Sequence, residues 1–229
     1  MTGFDLIIFD CDGVVVDSEI IAAQLEAKLL SEAGYQIDAT ELAARFSGMT
    51  WKDILLTVEK EANIPLQASL LDKPEKLLDD KLAKSVKGIP GVRQAALAIP
   101  LPRCICSNST PHRINAMLKR AGTLDLFEKH IFSAAVIGEK RPKPAPDVFL
   151  HAAREMGVEP NRTIVIEDSD HGIEGARSAG MRVIGFTGGS HTYRSHADRL
   201  TEAGAETVVN RMADLPATVD ALSSWSEFI

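Results

Sequence analysis

The chain has 229 residues, of which 45% are hydrophobic and 25% charged, and this length suits a core domain with or without a smaller second domain. The formal net charge of −7 disfavours a nucleic-acid-binding surface, and the odd number of cysteines, three, disfavours a disulfide framework. The first residues contain neither a basic leader nor the apolar run of about 20 residues that spans a membrane. We therefore expect a cytoplasmic protein, by default a monomer, that acts on a small molecule and binds neither nucleic acid nor membrane.

Short apolar runs bounded by turn residues recur along the chain and predict buried strands. They cover residues 4–10, 103–107, 130–136, 163–168, 182–186 and 207–210. Helical patterns lie between several of these runs, and a glycine closes three of them, which cover residues 111–120, 147–156 and 172–179. The alternation of strands and helices predicts an α/β fold with a doubly wound, parallel, Rossmann-like sheet.

Residues 17–88 differ from the rest of the chain. They are rich in Ala, Leu, Glu and Lys, and helical apolar spacing runs from Ile20 to Leu30 and from about Leu66 to Leu82. We interpret this segment as a helical insertion that divides the α/β core into residues 1–16 and 89–229.

Polar side chains follow three of the predicted strands. Asp10 and Asp12 end the first strand, two residues apart, so the strand period points them in the same general direction. Ser107 ends the second strand, and Glu167 with Asp168 ends the fourth. Because ligands bind beyond the carboxyl ends of parallel strands, we expect these side chains to converge on one site.

The acidic residues suit phosphoryl transfer. A carboxylate such as Asp10 is ionised at neutral pH and is a competent nucleophile. Asp12 suits proton transfer, first to the leaving alkoxide and then from the attacking water. So many carboxylates repel an anionic substrate unless a hard cation neutralises them, which predicts Mg²⁺ held by Asp10, Asp168 and the Asp12 carbonyl, with Glu167 assisting through water.

Binding groups for a phosphate are also present. Ser107, Asn108 and the following amides precede Pro111, which suits a helix start, and can bind phosphoryl oxygens there. Lys143, in KPAPD, supplies positive charge. Each residue also has an ordinary structural reading, since Ser107 can simply cap a helix and a lysine before proline usually lies in a surface loop.

Taken in order, the segments DCDGVVVDSE, CSNST, KPAPDVF and IEDSDHGIEGARSAG resemble the four motifs of the haloacid dehalogenase (HAD) superfamily. The resemblance covers nearly the whole chain and is to the β-phosphoglucomutase-like and phosphoglycolate-phosphatase-like branch. It implies a helical cap domain in residues 17–88. It also implies that Asp10 is the nucleophile and Asp12 the acid/base group. Ser107 and Lys143 would contact the phosphate, and Asp168 would bind the metal with Glu167 beside it.

Sequence differences from related enzymes restrict the activities expected of this chain. True dehalogenases of the superfamily lack the carboxylate that Asp12 provides, so the leaving group here is expected to be an oxygen. Sugar phosphomutases of this branch use a cap histidine and a Lys/Arg pair where Ala22, Ser47 and Trp51 stand in this chain. We therefore favour a phosphatase, with a β-phosphoglucomutase-like phosphomutase as the alternative.

Two questions stay open at this stage. Arg45 and Lys52, in the cap, are predicted to bind the non-phosphate part of a sugar phosphate or sugar-acid phosphate, although a solvated helix end explains them equally well. A phospho-accepting signalling module is the non-enzyme alternative, disfavoured because the acidic pair ends the first strand.

His191 and His196 are expected in a surface loop, since no further ligand accompanies them at zinc-site spacing.

Overall fold

The computed structural model describes residues 3–46, 49–63, 69–127 and 129–225. The strands are β1 (Leu6–Phe9), β2 (Arg103–Ser107), β3 (Ile131–Ser133), β4 (Thr163–Glu167), β5 (Arg182–Phe186) and β6 (Thr207–Val209). The helices are α1 (Glu19–Glu32), α2 (Ala39–Phe46), α3 (Trp51–Ala62), α4 (Ser69–Ser85), α5 (Val92–Ala98), α6 (Pro111–Ala121), α7 (Asp147–Met156), α8 (Asp170–Ser178), α9 (His196–Glu202) and α10 (Leu215–Trp225).

The six strands form one parallel sheet in the order β3-β2-β1-β4-β5-β6. The first strand therefore lies in the middle, where Phe9 is in register with Ile105 of β2 and Ile166 of β4. The strand order reverses at β1, and such a switch point leaves a crevice at the carboxyl edge of the sheet. The predicted fold class is confirmed.

Helices cover both faces of the sheet. Alternate residues of β1 and β4 face opposite sides, so Phe9 and Ile166 pack with α5, α6 and α10, whereas Ile8 and Val165 pack with α7, α8 and α9. All four of these side chains are inaccessible to solvent. Burial on both faces explains why the strands are continuous apolar runs.

Local signals set most element boundaries. Helices α6 and α7 end, as predicted, at Gly122 and Gly157, which adopt φ of +70° and +68°. Helix α8 begins two residues before the predicted Gly172, because the Ser169 hydroxyl caps it by accepting the Gly172 N–H at 3.1 Å. Strand β3 is shorter than its apolar run, since it lies at the sheet edge and pairs only with β2.

The cap segment, residues 17–88, contains α1 to α4, and none of its described residues belongs to the sheet. Its helices share an apolar cluster around Leu30, Leu42, Phe46 and Val58. Leu66, the predicted start of the last helical pattern, lies outside the described residues.

The cap segment leaves and rejoins the core at one place. The Asp17 N–H donates to the Lys87 carbonyl at 2.9 Å, and the Ile89 N–H donates to the Val15 carbonyl at 3.0 Å. The outgoing and returning chains are therefore hydrogen-bonded neighbours. Within the described residues, no helix has the length and apolar character needed to cross a membrane.

Candidate active site

The site lies at the carboxyl edge of the sheet, beneath the cap segment. A cavity of about 380 Å³ lies between them, and Asp10, Asp12, Lys143 and Asp168 are among its lining residues. Asp10 directly follows β1, and its N–H continues the sheet by donating to the Ile166 carbonyl at 2.9 Å. The middle position of β1 thus brings the predicted nucleophile between the ends of β2 and β4.

Lys143 forms the centre of a buried ion-pair network. Its Nζ donates to Asp10 Oδ1 at 2.5 Å, to Glu167 Oε1 at 2.6 Å and to the Cys106 carbonyl at 2.8 Å. Burial alone lowers the pKa of a lysine, but the two carboxylates outweigh it and hold the pKa of Lys143 above its ordinary value. Lys143 is therefore a permanent cation beside Asp10 and not a surface lysine.

Asn108 positions the loop that carries Lys143. Its side-chain carbonyl accepts the Lys143 backbone N–H at 2.9 Å, which ties the loop before α7 to the turn after β2. Asn108 also lines the cavity.

Three serine hydroxyl groups donate to the Asp12 carboxylate. Its Oδ1 accepts from Ser18 at 2.7 Å, and its Oδ2 accepts from Ser107 at 3.1 Å and Ser109 at 2.9 Å. The Ser107 hydroxyl in turn accepts the Ser109 N–H at 2.9 Å. Sequence reasoning missed Ser18 and Ser109, which only the folded loops bring to Asp12.

Three buried carboxylates form a candidate metal centre. One oxygen each from Asp10, Glu167 and Asp168 can be chosen so that all lie within 4.8 Å of one another. Burial and the neighbouring carboxylates raise the pKa of Asp10 and of Asp168 well above the ordinary range, despite the nearby Lys143. An all-oxygen donor set with excess negative charge fits a hard divalent cation such as Mg²⁺. The Asp12 carboxylate is not in this cluster. Metal binding by the backbone carbonyl of Asp12 stays a prediction.

Glu167 is held rigidly. Its Oε2 accepts from the Asp168 N–H at 3.1 Å, the Ser169 N–H at 3.2 Å and the Ser169 hydroxyl at 3.0 Å, while Lys143 occupies Oε1. A Cβ at Gly172 would lie 1.9 Å from its carboxyl carbon, so only glycine fits beside it. With both oxygens engaged, Glu167 suits an indirect contact to a cation better than a direct one.

His191 and His196 were expected in a surface loop, and this prediction is wrong. His191 lies in the loop after β5 and His196 begins α9, but both are buried beside the site, with 5% and 1% of their surface exposed. His191 Nε2 lies 3.0 Å from Asp168 Oδ2, and His196 Nε2 lies 2.7 Å from the Asp168 carbonyl. Burial lowers the pKa of both rings. The sequence carried one signal for this placement, because their segment follows β5 at the same edge of the sheet as Asp168.

Arg45 and Lys52 are not brought to the cavity. The Arg45 guanidinium bonds the Tyr35 hydroxyl at 2.9 Å, Glu41 at 3.1 Å and Glu61 at 2.6 Å on the outside of the cap segment. Lys52, in the first turn of α3, is exposed, and neither residue is among the described residues that line the cavity. The cavity-facing side of α2 is taken by Leu42, Ala43 and Phe46.

Comparison with known proteins agrees with this geometry. Residues 4–180 match the family model described as haloacid dehalogenase-like hydrolase. The chain belongs to the haloacid dehalogenase-like hydrolase family. The predicted family is thus confirmed.

Three relatives illustrate the range of this family. The chain is 30% identical to the 6-phosphogluconate phosphatase of Escherichia coli over 83% of this chain and 86% of the relative. It is 31% identical to the fructose-1-phosphate phosphatase YqaB of the same organism, over 78% and 94%. A solved haloacid dehalogenase-like protein of unknown function from Agrobacterium tumefaciens is 64% identical, with a TM-score of 0.93 and coverage of 96% and 100%.

In this HAD-like hydrolase, the cavity wall formed by the cap segment, here called the cap wall, carries polar residues that sequence reasoning missed. Glu19 and Glu26 of α1 and Glu75 of α4 line the cavity, together with Arg113 of α6. Burial raises the pKa of Glu19 to about 8, aided by Asp12 and Asp168. Burial also raises the pKa of Glu26 to about 7, against the opposing effect of Arg113.

Of the three positions that differ from phosphomutases, two line the cavity and one is not described by the structure. Ala22 and Trp51 both line the cavity, where Trp51 donates its indole N–H to the Leu70 carbonyl at 2.7 Å. Ser47 lies outside the described residues.

Proposed function

We propose that this protein is a Mg²⁺-dependent phosphatase that hydrolyses phosphate monoesters of small metabolites, sugar phosphates above all, through a phospho-aspartate on Asp10. The observation that carries the proposal is the contact of 2.5 Å between Lys143 Nζ and Asp10 Oδ1, beside the carboxylates of Glu167 and Asp168. The named relatives are sugar-phosphate phosphatases. The predicted enzyme class, a HAD-like phosphoric monoester hydrolase, is the one that the family and these relatives support.

The substrate phosphoryl group binds between Asp10 and the end of β2. Lys143 supplies a fixed positive charge there. Ser107 lies beside this position, and on substrate binding its hydroxyl would turn from Asp12 to donate to a phosphoryl oxygen. The Asp10 carboxylate attacks phosphorus as the ester oxygen departs, and a bound divalent cation would favour this ionised form against the effect of burial. A bound Mg²⁺, held by Asp10 and Asp168 with Glu167 nearby, would neutralise the charge of the phosphoryl oxygens.

Asp12 performs the proton transfers. Its carboxyl group protonates the leaving alkoxide and then removes a proton from the water that hydrolyses the aspartyl phosphate. The hydroxyls of Ser18, Ser107 and Ser109 hold this carboxyl group in one orientation. Such fixed geometry favours transfer to and from a single position near Asp10.

Residues 17–88 serve as a cap domain on a core of residues 1–16 and 89–229. The cavity between them encloses the leaving group and limits the access of bulk water. Support comes from the apolar cluster that joins α1, α2, α3 and Leu70 of α4, and from the paired connections at residues 15–17 and 87–89.

The test is phosphate release from a panel of sugar phosphates with Mg²⁺, comparing wild type with Asp10→Asn and with the surface control Asp220→Asn. We expect Asp10→Asn to abolish release and Asp220→Asn to retain it. Intact-protein mass spectrometry after acid quenching should find one phosphoryl group on the wild type and none on Asp10→Asn.

Three outcomes would contradict the proposal. Release that survives in Asp10→Asn would exclude Asp10 as nucleophile. Interconversion of glucose 1-phosphate and glucose 6-phosphate without release would favour the phosphomutase. Phosphorylation without turnover of any substrate would favour the signalling module.

A further inference from the structure

We propose that the cap wall selects leaving groups that are uncharged polyols, so that neutral sugar and sugar-alcohol phosphates are preferred over phosphates of sugar acids, with Glu26 as the main determinant. This inference rests on the phosphatase function proposed above and names its substrate class. It separates two chemistries that the relatives leave open, since one is named for a sugar-acid phosphate and the other for a neutral sugar phosphate.

Helix α1 presents hydrogen-bond acceptors to the cavity. Glu19 and Glu26 of α1 line the cavity. Within the described part of the chain, neither side chain has a hydrogen-bond donor or an ion-pair partner. A carboxylate without a donor in a partly buried wall favours a ligand that brings donors. Sugar hydroxyls are such donors, whereas an ionised carboxylate on the substrate brings only acceptors.

The positive charge on this side of the cavity is already paired. Arg113 Nε donates to Asp79 Oδ1 of α4 at 2.5 Å, and both side chains are mostly shielded from solvent. Apart from Lys143 at the phosphate end, no other lysine or arginine lines the cavity in the described part of the chain. Because Asp79 already neutralises its charge, Arg113 attracts a substrate carboxylate less strongly than an unpaired arginine would.

The electrostatic environment points the same way. The burial that raises the pKa of Glu26 to about 7 also penalises any carboxylate that a substrate carries into this space. Glu26, when ionised, adds direct repulsion of like charge. A neutral hydroxyl group is subject neither to the penalty for burying a charge nor to repulsion by Glu26. It can accept from Arg113 while it donates to Glu26.

The remaining wall is apolar and suits the carbon skeleton of a sugar. Leu42, Phe46, Trp51 and Ile54 line this side of the cavity. Apolar walls with a few directed polar groups are typical of sites for small polar metabolites. The wall thus provides contact for C–H groups and leaves recognition of hydroxyls to the glutamates.

A matched pair of substrates tests the inference. D-Glucitol 6-phosphate and D-gluconate 6-phosphate differ only at C1, which is a hydroxymethyl group in the first and a carboxylate in the second. We expect kcat/KM of the wild type at pH 7.5 to favour the glucitol ester by about tenfold or more. A preference for the gluconate ester would overturn the inference but leave the phosphatase function intact, whereas no release from either ester or from the wider panel would refute that function itself.

Variants of α1 assign the preference to a residue. Glu26→Gln removes the charge but keeps the size of the side chain, and we expect it to reduce the ratio of the two kcat/KM values at least about threefold, mainly by improving the gluconate ester. Glu32→Gln, on the exposed part of the same helix, should leave the ratio unchanged. An unchanged ratio in folded Glu26→Gln would refute the role of Glu26.

Discussion

His191 Nε2 lies 3.0 Å from Asp168 Oδ2, and both side chains are almost completely buried. Because burial lowers the pKa of His191, the ring is neutral at physiological pH and donates one N–H to the carboxylate. The contact fixes the rotation of the Asp168 carboxyl group. His191 thus acts as a positioning residue for a carboxylate of the candidate metal centre.

His191→Phe is expected to weaken Mg²⁺ binding about tenfold, because residues that orient a metal ligand typically contribute this much. Direct titration by calorimetry measures the dissociation constant without reference to turnover. His130→Phe, at an exposed position, provides the control. Equal Mg²⁺ affinity in wild type and His191→Phe would show that Asp168 needs no orienting partner.

Lys143→Met is expected to lower the free energy of unfolding by about 3–5 kcal/mol, because it leaves Asp10 and Glu167 buried without their counterion. Urea unfolding in the presence of EDTA measures this loss without any contribution from metal binding. The exposed Lys129→Met should change stability by less than about 0.5 kcal/mol. A similar midpoint for both variants would mean that the carboxylates become protonated at little cost.

Gly13→Ala is expected to abolish activity by displacing Asp168. Gly13 has φ of +74°, and a Cβ there would lie 1.7 Å from Asp168 Oδ2. Gly34→Ala is a matched control, since Gly34 has φ of +99° but no atom within 4 Å of the added Cβ. Both variants share the backbone strain of about 1–2 kcal/mol, so steady-state kinetics should show the loss of kcat only in Gly13→Ala. Equal losses in both would attribute the effect to strain alone.

The raised pKa of Glu26 predicts a pH-dependent stability. The pKa rises from 4.5 to about 7 on folding, so the folded protein binds the proton more tightly than the unfolded chain does. The sign follows: stability falls as pH rises from about 4.5 through 7, by about 1–3 kcal/mol in total. Glu26→Gln should therefore gain stability relative to wild type at pH 8 but not at pH 4.5.

Urea unfolding at the two pH values, with EDTA present, checks this expectation. Glu32→Gln is the control, because Glu32 is exposed and pairs only with Lys28 in the described structure. A difference between wild type and Glu26→Gln that is the same at both pH values would contradict the raised pKa.

The core of the site was predictable because strand position determines it. Once alternating strands and helices indicate a parallel sheet, Asp10, Ser107 and Glu167 must lie at its carboxyl edge. Sequence periodicity also shows which residues of a strand share a face. Lys143 was named from its charge, but its place in the site could not be derived from periodicity, since the loop before α7 carries it. The family resemblance supported its role as a phosphate contact.

The cap wall was not predictable for the opposite reason. Which side of a helix faces a cavity depends on how the inserted helices pack, and that packing is a long-range property. Arg45 therefore looked like a substrate contact but bonds Tyr35 and two glutamates outside the cavity. Arg113 did carry a usable signal, because it lies in the first turn of the helix that follows β2, at the carboxyl edge.

The pairing of the two connections at Asp17 with Lys87 and at Val15 with Ile89 has an evolutionary consequence. A unit whose two ends are neighbours can be exchanged for another helical unit without rethreading the sheet or moving the ends of β1, β2 and β4. We therefore expect that replacing this segment can change selectivity while the phosphoryl-transfer groups stay in place. Chimaeras joined at these two connections are the natural way to transplant one relative's substrate preference onto another's chemistry.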